Sequence, residues 1–197
     1  GGPEKLDDVR PFLYNLFSDR QIIRLGPPFL QKPLAWYIAK KRAPKSKGLY
    51  QQIGGGSPLT RITFSQAESL EEALKDSGDY VVTPAMRYWQ PDAQKAITLL
   101  EQQNVNKIIA LTLYPHNSKA TTGSSVLDFE KQFEKSDLCK TIDEFTVIDC
   151  WPDHLDYVSC LAENIEDGAK EFGSEEPQVV YSAHSLPVSF IEEGDPY

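Results

Sequence analysis

The sequence predicts an α/β protein built on a doubly wound parallel sheet, and two observations carry this prediction. Strand and helix patterns alternate between residues 79 and 182, which is the element order of parallel α/β sheets. The strand pattern at 107–113 is one continuous apolar run, which is typical of a strand buried on both faces of such a sheet. We therefore expect four strands with helices between them, at residues 79–85, 107–113, 145–150 and 179–182.

Two helices are predicted ahead of this sheet. The first follows a capping aspartate, Asp7 or Asp8, and its apolar residues share one helical face: Val9, Phe12, Leu13, Leu16 and Phe17. The second begins near Leu34 and leads into a basic stretch that contains Lys40, Lys41, Arg42, Lys45 and Lys47. Because Trp36 and Tyr37 are next to these cations, this helix has the composition of a surface that contacts a membrane or an anionic ligand.

The glycine run Gly54–Gly56 predicts a tight turn or a close backbone approach to a ligand. It lacks the lysine of a Walker phosphate loop and the glycine spacing of a Rossmann turn, and it precedes no obvious helix start. The next helix is expected from a capping box, in which Ser65 caps the first turn and Glu68 follows three residues later. That helix would bury a stripe of four residues, Ala67, Leu70, Ala73 and Leu74.

Three further helices are expected between the predicted strands, at residues 91–104, 123–133 and 154–172. The first presents an apolar face of Ala93, Ala96, Ile97 and Leu100. The last is long, and its apolar residues are expected to point inward: Leu155, Val158, Leu161, Ala162, Ile165 and Ala169.

The composition is that of a soluble globular protein, with 40% hydrophobic and 25% charged residues. A net charge of -9 argues against a general nucleic-acid binder, because such proteins need a basic face. No apolar run reaches the roughly 20 residues that a membrane helix needs. The three cysteines, Cys139, Cys150 and Cys160, form no CxxC pair and are expected to be reduced, buried thiols, as in a cytoplasmic protein.

Chemistry is expected at the carboxyl ends of the strands, where ligands bind in open parallel sheets. Arg87, Tyr114, Trp151 and His184 follow the four predicted strands in turn. His184 stands where its strand stops, and its imidazole titrates near neutral pH, so it is a candidate functional group; a loop histidine that only forms a structural hydrogen bond is the alternative. These four residues would form an aromatic rim along one edge of the sheet. Such a rim suits a planar aromatic ligand with anionic groups, because the aromatic side chains can stack on the ring and the arginine can bind the anionic groups.

Three acidic residues come soon after this histidine: Glu192, Glu193 and Asp195. They could supply a carboxylate for metal delivery. The sequence favours a solvated acidic turn instead, because unpaired carboxylates are mostly exposed.

Six motifs, taken together, resemble those of the ferrochelatases in their order and spacing. They are Gly1–Pro3, Tyr50–Pro58, Arg87–Pro91, Tyr114–Pro115, Thr121–Ser125 and Ser182–Pro187. Ferrochelatases insert Fe(II) into a porphyrin at the end of haem synthesis, and their fold is two similar α/β domains around a cleft. The resemblance implies a Rossmann-like, chelatase-type sheet. Residues 1–172 would form the first domain, incomplete at both ends, and residues 173–197 would begin the second.

The resemblance also implies roles for six residues. His184 matches the cleft histidine that is assigned to iron binding or to proton abstraction from a pyrrole, and the sequence does not choose between these roles. The family positions that contact the macrocycle or its propionates are matched here by Tyr50, Arg42 and Ser57. Arg87 and Tyr114 match residues that line the cleft.

This chain departs from the family pattern in two respects. The acidic group on the opposite wall of the cleft belongs to a motif beyond residue 197, so these 197 residues alone are expected to be inactive or nearly so; measurable chelation by them would contradict this expectation. Some ferrochelatases bind an iron–sulfur cluster through a cysteine where this chain has Lys119. We expect no such cluster and no permanently bound cofactor, with Fe(II) only as a substrate.

Alternative functions remain open at this stage. One alternative is a non-catalytic tetrapyrrole carrier, which would keep the aromatic rim but not provide a path for the metal. A nucleotide-binding α/β domain is a less favoured hypothesis. A serine hydrolase would need a Gly-x-Ser-x-Gly elbow, which the sequence lacks. The expected partners are a porphyrin and ferrous iron, with peripheral membrane contact and without nucleic acid. The sequence fixes neither the porphyrin nor the oligomeric state.

Overall fold

A computed structural model describes all 197 residues of the chain. Seven α-helices and two strands follow one another in this order: α1 (Val9–Ser18), α2 (Gln31–Gln52), α3 (Leu59–Leu74), α4 (Ala93–Gln102), β1 (Lys107–Leu111), α5 (Ser124–Phe133), β2 (Glu144–Ile148), α6 (Leu155–Lys170) and α7 (Val188–Glu192). None of the helices has both the length and the apolar composition that a membrane crossing requires. The chain is therefore rich in helix around a small sheet.

The sheet consists of β1 and β2, which pair in parallel with Lys107 opposite Glu144 and Leu111 opposite Ile148. Helix α5 lies between the two strands in sequence, because parallel neighbours need a long crossover connection. The predicted α/β class with a parallel sheet is confirmed, but the prediction of four strands is wrong.

The two other predicted strands, at residues 79–85 and 179–182, are irregular segments without a ladder partner. In residues 79–85, the N–H of Val82 donates to the Glu71 carboxylate of α3 (2.8 Å) and not to a neighbouring strand. In the second, Val180 and Tyr181 are each 82% exposed. A β-branched run becomes a strand only when another segment pairs with its backbone, and no segment of this chain does so here.

Strand β1 is buried on one face only, so the expectation of burial on both faces is wrong. Ile108 is 6% exposed and packs in a cluster with Ile97 and Leu100 of α4, whereas Ile109 on the opposite face is 58% exposed. The predicted apolar face of α4 is confirmed, since all four of its residues are buried. Three phenylalanines stack beside this cluster: Phe129, Phe133 and Phe145.

Helices α1 and α2 form a second core. The predicted apolar face of α1 is confirmed: Val9, Leu13 and Phe17 are buried against three small residues of α2, Ala35, Ala39 and Ala43. Helix α2 begins at Gln31, earlier than expected, and continues through Pro44 as far as Gln52. An internal proline disfavours a helix, but the packing of the alanine face on α1 outweighs this preference.

The apolar faces of α3 and α6 are exposed, contrary to expectation. No residue of either helix is buried, and Leu155 is 80% exposed. The prediction that a capping box at Ser65 starts this helix is also wrong, because α3 begins six residues earlier, at Leu59. Ser65 lies inside the helix, where its carbonyl accepts a hydrogen bond from Ser69 Oγ (2.9 Å). Periodicity locates a helix, but burial of its apolar face needs another element to cover it.

The cysteines are all unpaired, but they are not buried as predicted. Cys139 is half-buried, and Cys150 and Cys160 are exposed. Cys160 lies on the uncovered helix α6, which accounts for its exposure.

Gln31 ties the loop between α1 and α2 to the first core. Its buried amide donates to the carbonyls of Phe17 (2.7 Å) and Ile23 (2.9 Å) and accepts from the Leu25 N–H (3.1 Å) and from Arg20 (3.2 Å). The amide thus satisfies both its donors and its acceptor at the start of α2.

We expect the substitution Gln31→Leu to lower the free energy of unfolding by about 3 kcal/mol, because it leaves buried backbone groups without partners. Chemical denaturation at neutral pH measures the change. Gln52→Leu, at an exposed position near the end of the same helix, is the control and should change stability by less than about 0.5 kcal/mol. Equal stabilities for the two variants would contradict the prediction.

Candidate functional site

The carboxyl ends of β1 and β2 meet, as expected for parallel neighbours. The backbone N–H of Trp151 donates to the Pro115 carbonyl and its indole N–H donates to the Thr112 carbonyl, both at 2.8 Å. Asn117 donates to Asp149 at the same distance. The segments that follow the two strands are therefore joined by direct hydrogen bonds.

Tyr114 lies in this joined region, directly after β1. Burial raises the pKa of its phenol, and a hydrogen bond with Ser125 in the first turn of α5 opposes that rise. The phenol is therefore neutral at physiological pH and stands partly exposed beside the start of α5.

Arg87 also reaches the start of α5. Its Nε donates to Ser124 Oγ (2.9 Å), and its guanidinium donates to the carboxylate of Asp19 (2.8 Å) and lies 3.5 Å from that of Asp128. The neighbouring Tyr88 hydroxyl donates to the same oxygen of Asp19 (2.8 Å). Arg87 and Tyr114, both predicted site residues, are thus brought to adjacent serines of one helix.

Asp19 is the centre of this cluster, and nothing in the sequence singled it out. Its side chain is 6% exposed, and its Oδ2 accepts hydrogen bonds from Arg87, Tyr88 and Ser124 (2.6 Å for the serine). Burial alone would raise the pKa of Asp19, but the hydrogen bonds from Ser124, Gln21 and Tyr88, together with the charge of Arg87, outweigh it and lower the pKa. The carboxylate is therefore ionised at neutral pH.

A polar cavity of about 180 Å³ lies beside this cluster. Its lining carries charges of both signs and includes Asp19, Arg20, Arg87, Ser124, Asp128 and Lys131. Of the six predicted site residues, Arg87 is the one that lines it. Because Arg87 is matched by two carboxylates, its positive charge is largely used within the chain; contact with a propionate stays a prediction.

Arg42 and Tyr50 lie on α2, which packs against the helix that ends next to Asp19. Arg42 is exposed, its guanidinium stacks over the ring of Phe17 (5.3 Å to the centroid), and it forms no ion pair. Tyr50 packs against the core of α1 and α2, and this burial raises the pKa of its phenol. Arg42 therefore offers a positive charge that no carboxylate of the chain neutralises.

Ser57 lies where the glycine run meets the start of the chain. Its N–H donates to the Pro3 carbonyl (2.7 Å). A Cβ on Gly56 would lie 2.0 Å from the Glu4 carbonyl oxygen, and one on Gly2 would lie 2.6 Å from Ser57 Oγ. The glycines serve a close backbone approach here, while Gly54 and Gly55 supply the positive φ of a turn. The run joins α2 to α3, so a helix start does follow it, contrary to expectation, but no strand precedes it.

His184 follows residues 179–183, which form no strand, and is exposed. Its imidazole forms no hydrogen bond, and its backbone carbonyl accepts one from the Tyr197 hydroxyl (3.1 Å). No cluster of three or more His, Cys, Asp or Glu side chains is placed to hold a metal ion. The roles of His184 as a proton acceptor and as an iron contact both stay predictions.

Comparison with known proteins identifies the family. The ferrochelatase family model matches residues 1–197. The chain belongs to the ferrochelatase family. The ferrochelatase of Desulfotalea psychrophila is 54% identical over 197 residues, that of Geobacter metallireducens 50% over 198, and that of Trichormus variabilis 46% over 200. The family resemblance that the sequence motifs predicted is confirmed over the whole chain.

These alignments cover all of this chain but only part of each relative: 61% of the Desulfotalea and Geobacter ferrochelatases and 51% of the Trichormus protein. The chain therefore spans between about half and three fifths of the length of these curated relatives.

We expect Asp19→Asn to lower the free energy of unfolding at neutral pH by about 3 kcal/mol, because it removes the charge that balances the half-buried Arg87. The folded-state pKa of Asp19 is lowered, so its stabilisation is present above 3.8, the ordinary value, and is lost as the pH falls through the lowered value. The difference in free energy of unfolding between wild type and variant, measured by urea unfolding, should therefore shrink as the pH falls below the lowered pKa of Asp19.

The control is Asp137→Asn, which removes an exposed carboxylate that pairs with Lys140 (2.7 Å). Exposed pairs contribute little, so this change should leave the free energy of unfolding almost unchanged. Two results would show that the Asp19 charge does not cause the loss of stability. One is a difference in free energy of unfolding that is the same at all pH values; the other is an equal destabilisation in the control.

Proposed function

We propose that this protein inserts Fe(II) into a porphyrin, as a lyase-class metal chelatase in haem biosynthesis. The family match over all 197 residues is the observation that carries the proposal. Three relatives named ferrochelatase, at 46–54% identity, support it.

The chemistry asks three things of a protein. It must hold a flat ring with anionic arms, accept the two protons of the pyrrole N–H groups, and admit a dehydrated ferrous ion to one face of the ring. The chain supplies candidates for the first two tasks among exposed or half-buried groups. His184 offers an unengaged imidazole that can accept a proton or coordinate Fe(II), although not both at the same time.

Arg42 is the better candidate for binding a propionate. Its guanidinium is exposed and unpaired, and Lys45, one turn further along α2, forms no ion pair either. Arg87, in contrast, is held by Asp19 and Asp128. Since a planar guanidinium binds a carboxylate with two parallel hydrogen bonds, we assign the first propionate contact to Arg42 and a role in shaping the wall of the site to Arg87.

Tyr50, Tyr114 and Ser57 would contact the ring. Both phenols are partly buried and neutral, as their raised pKa values indicate, so they present aromatic faces and hydroxyl groups to a macrocycle without adding charge. Ser57 is half-buried at the turn after α2, and its hydroxyl accepts a hydrogen bond only from the nearby Leu59 N–H (3.3 Å).

No resident cofactor is included in the proposal. Fe(II) is a substrate, and an iron–sulfur cluster is not expected because Lys119 stands at the position of a cluster cysteine; its ammonium group donates to the Glu193 carbonyl (2.5 Å). Three unpaired thiols are compatible with the cytoplasm.

Peripheral membrane contact is the last part of the proposal. Three exposed aromatic residues support it: Phe29 lies just before α2, and Trp36 and Tyr37 lie near its start. Lys40 and Lys41 stack on the rings of Trp36 and Tyr37, which places cations beside the apolar surface.

We expect His184→Ala, in the full-length protein, to reduce iron insertion at least about a hundredfold, because general-base catalysis contributes on that scale. Porphyrin affinity, followed by the Soret absorbance, should change little. His154→Ala removes another exposed histidine, at the start of α6, and should leave insertion unchanged. Insertion at the wild-type rate by His184→Ala would contradict the catalytic role, and porphyrin binding without insertion by the wild type would favour a carrier.

We expect Arg42→Gln to raise the KM for a porphyrin with free propionates about tenfold, which corresponds to the loss of one charged hydrogen bond. Arg42→Lys should recover part of the loss. With the fully methyl-esterified form of the same porphyrin the variant and the wild type should have equal KM values, since the anionic arms are gone. Lys135→Gln, another exposed cation without a partner, is the control. An unchanged ratio with the ester would refute the propionate contact.

A further inference from the structure

The carboxylate of Asp195 is an unexpected feature near the end of the chain. Glu192 and Glu193 are exposed, as the predicted acidic turn requires, but Asp195 is 7% exposed, so the expectation of a solvated turn is wrong at this position. Its Oδ2 accepts hydrogen bonds from Ser118 Oγ (3.0 Å) and from the N–H of Lys119 (2.8 Å). Asp195 thus fastens the segment after α7 to the loop that follows β1.

The second carboxylate oxygen of Asp195 extends the connection toward His184. It accepts a hydrogen bond from the N–H of Tyr197 (3.1 Å), and the hydroxyl of Tyr197 donates to the His184 carbonyl (3.1 Å). The Tyr197 ring also meets the ring of His116 edge-on, with centroids 5.7 Å apart. His184 and the loop after β1, which carries Tyr114, are therefore linked through two side chains.

This link is the main restraint on the backbone at His184. The preceding segment has no ladder partner, and the bond from Tyr197 is the only hydrogen bond that residues 182–185 form with the rest of the chain. Ser118, at the other end of the link, is buried and caps the turn at 119–123 through the Ala120 N–H (3.2 Å). The segment without a ladder partner is thus attached to a buried anchor.

We propose that Asp195 and Tyr197 are positioning residues that hold His184 in place relative to the loop after β1. The inference rests on the proposed function, in which His184 handles the proton or the metal while Tyr114 on that loop contacts the ring. Because reacting groups must be held within a fraction of an ångström, loss of the link should slow insertion while leaving porphyrin affinity almost unchanged.

The test uses the full-length protein with Tyr197→Phe, which removes only the hydroxyl, and with Asp195→Asn, which keeps the shape but not the charge. We expect kcat for iron insertion to fall about tenfold in each, with the KM for porphyrin within about twofold of wild type. Glu192→Gln removes an exposed carboxylate on the same turn and should have wild-type kcat.

A second readout follows the imidazole of His184 directly. In proton NMR spectra, Tyr197→Phe should shift or broaden the His184 ring resonance. The His116 resonance should stay in place, because phenylalanine keeps the ring contact. If Asp195→Asn fails to fold, Tyr197→Phe decides the question by itself.

Wild-type kcat together with an unshifted His184 resonance in Tyr197→Phe would overturn the positioning role. The proposed function would then still stand if His184→Ala abolishes insertion. Conversely, a His184→Ala variant that inserts iron at the normal rate would end the catalytic assignment, while a shifted resonance would still support the link itself.

Discussion

The ion pair between Asp19 and Arg87 is the interaction on which the arrangement of the candidate site depends. It joins the end of α1, the segment before α4 and the first turn of α5, three parts of the chain that no helix or strand connects. A carboxylate that is 6% exposed must be well compensated, and here one guanidinium and two hydroxyl groups share it. The pair therefore fixes one wall of the polar cavity that Asp19, Arg87 and Ser124 line.

The two cores on either side of this ion pair differ in how completely they are covered. The α1–α2 core is closed, because small residues on α2 accept the apolar face of α1. The sheet is covered on one face by α4 and α5, while its other face and the apolar faces of α3 and α6 are exposed. The apolar pattern of these elements is real, but burial is a property of a pair of elements and cannot be read from one of them.

For the candidate site, the sequence predicted individual side chains but not what surrounds them. Tyr114 follows a strand as predicted, whereas the segment before Arg87 is not a strand, and both side chains reach the start of α5. Two carboxylates neutralise Arg87, whereas no carboxylate pairs with Arg42. The sequence could not distinguish these two arginines, because Asp19 and Asp128 are distant from Arg87 along the chain. The sequence did not single out Asp19 and predicted a solvated Asp195 for the same reason: each looks like an ordinary loop aspartate until its partners are brought to it.

The sequence by itself determined the α/β class, the family, the helical faces of α1 and α4, and the parallel pair β1–β2, because local periodicity and motif spacing are properties of neighbouring residues. Only the tertiary structure decided which apolar runs pair as strands, which faces are buried, and which charges are matched. These outcomes depend on contacts between residues far apart along the chain, such as Asp19 with Arg87 and Ser118 with Asp195. The free energy of such contacts is set by burial and geometry that one segment does not encode.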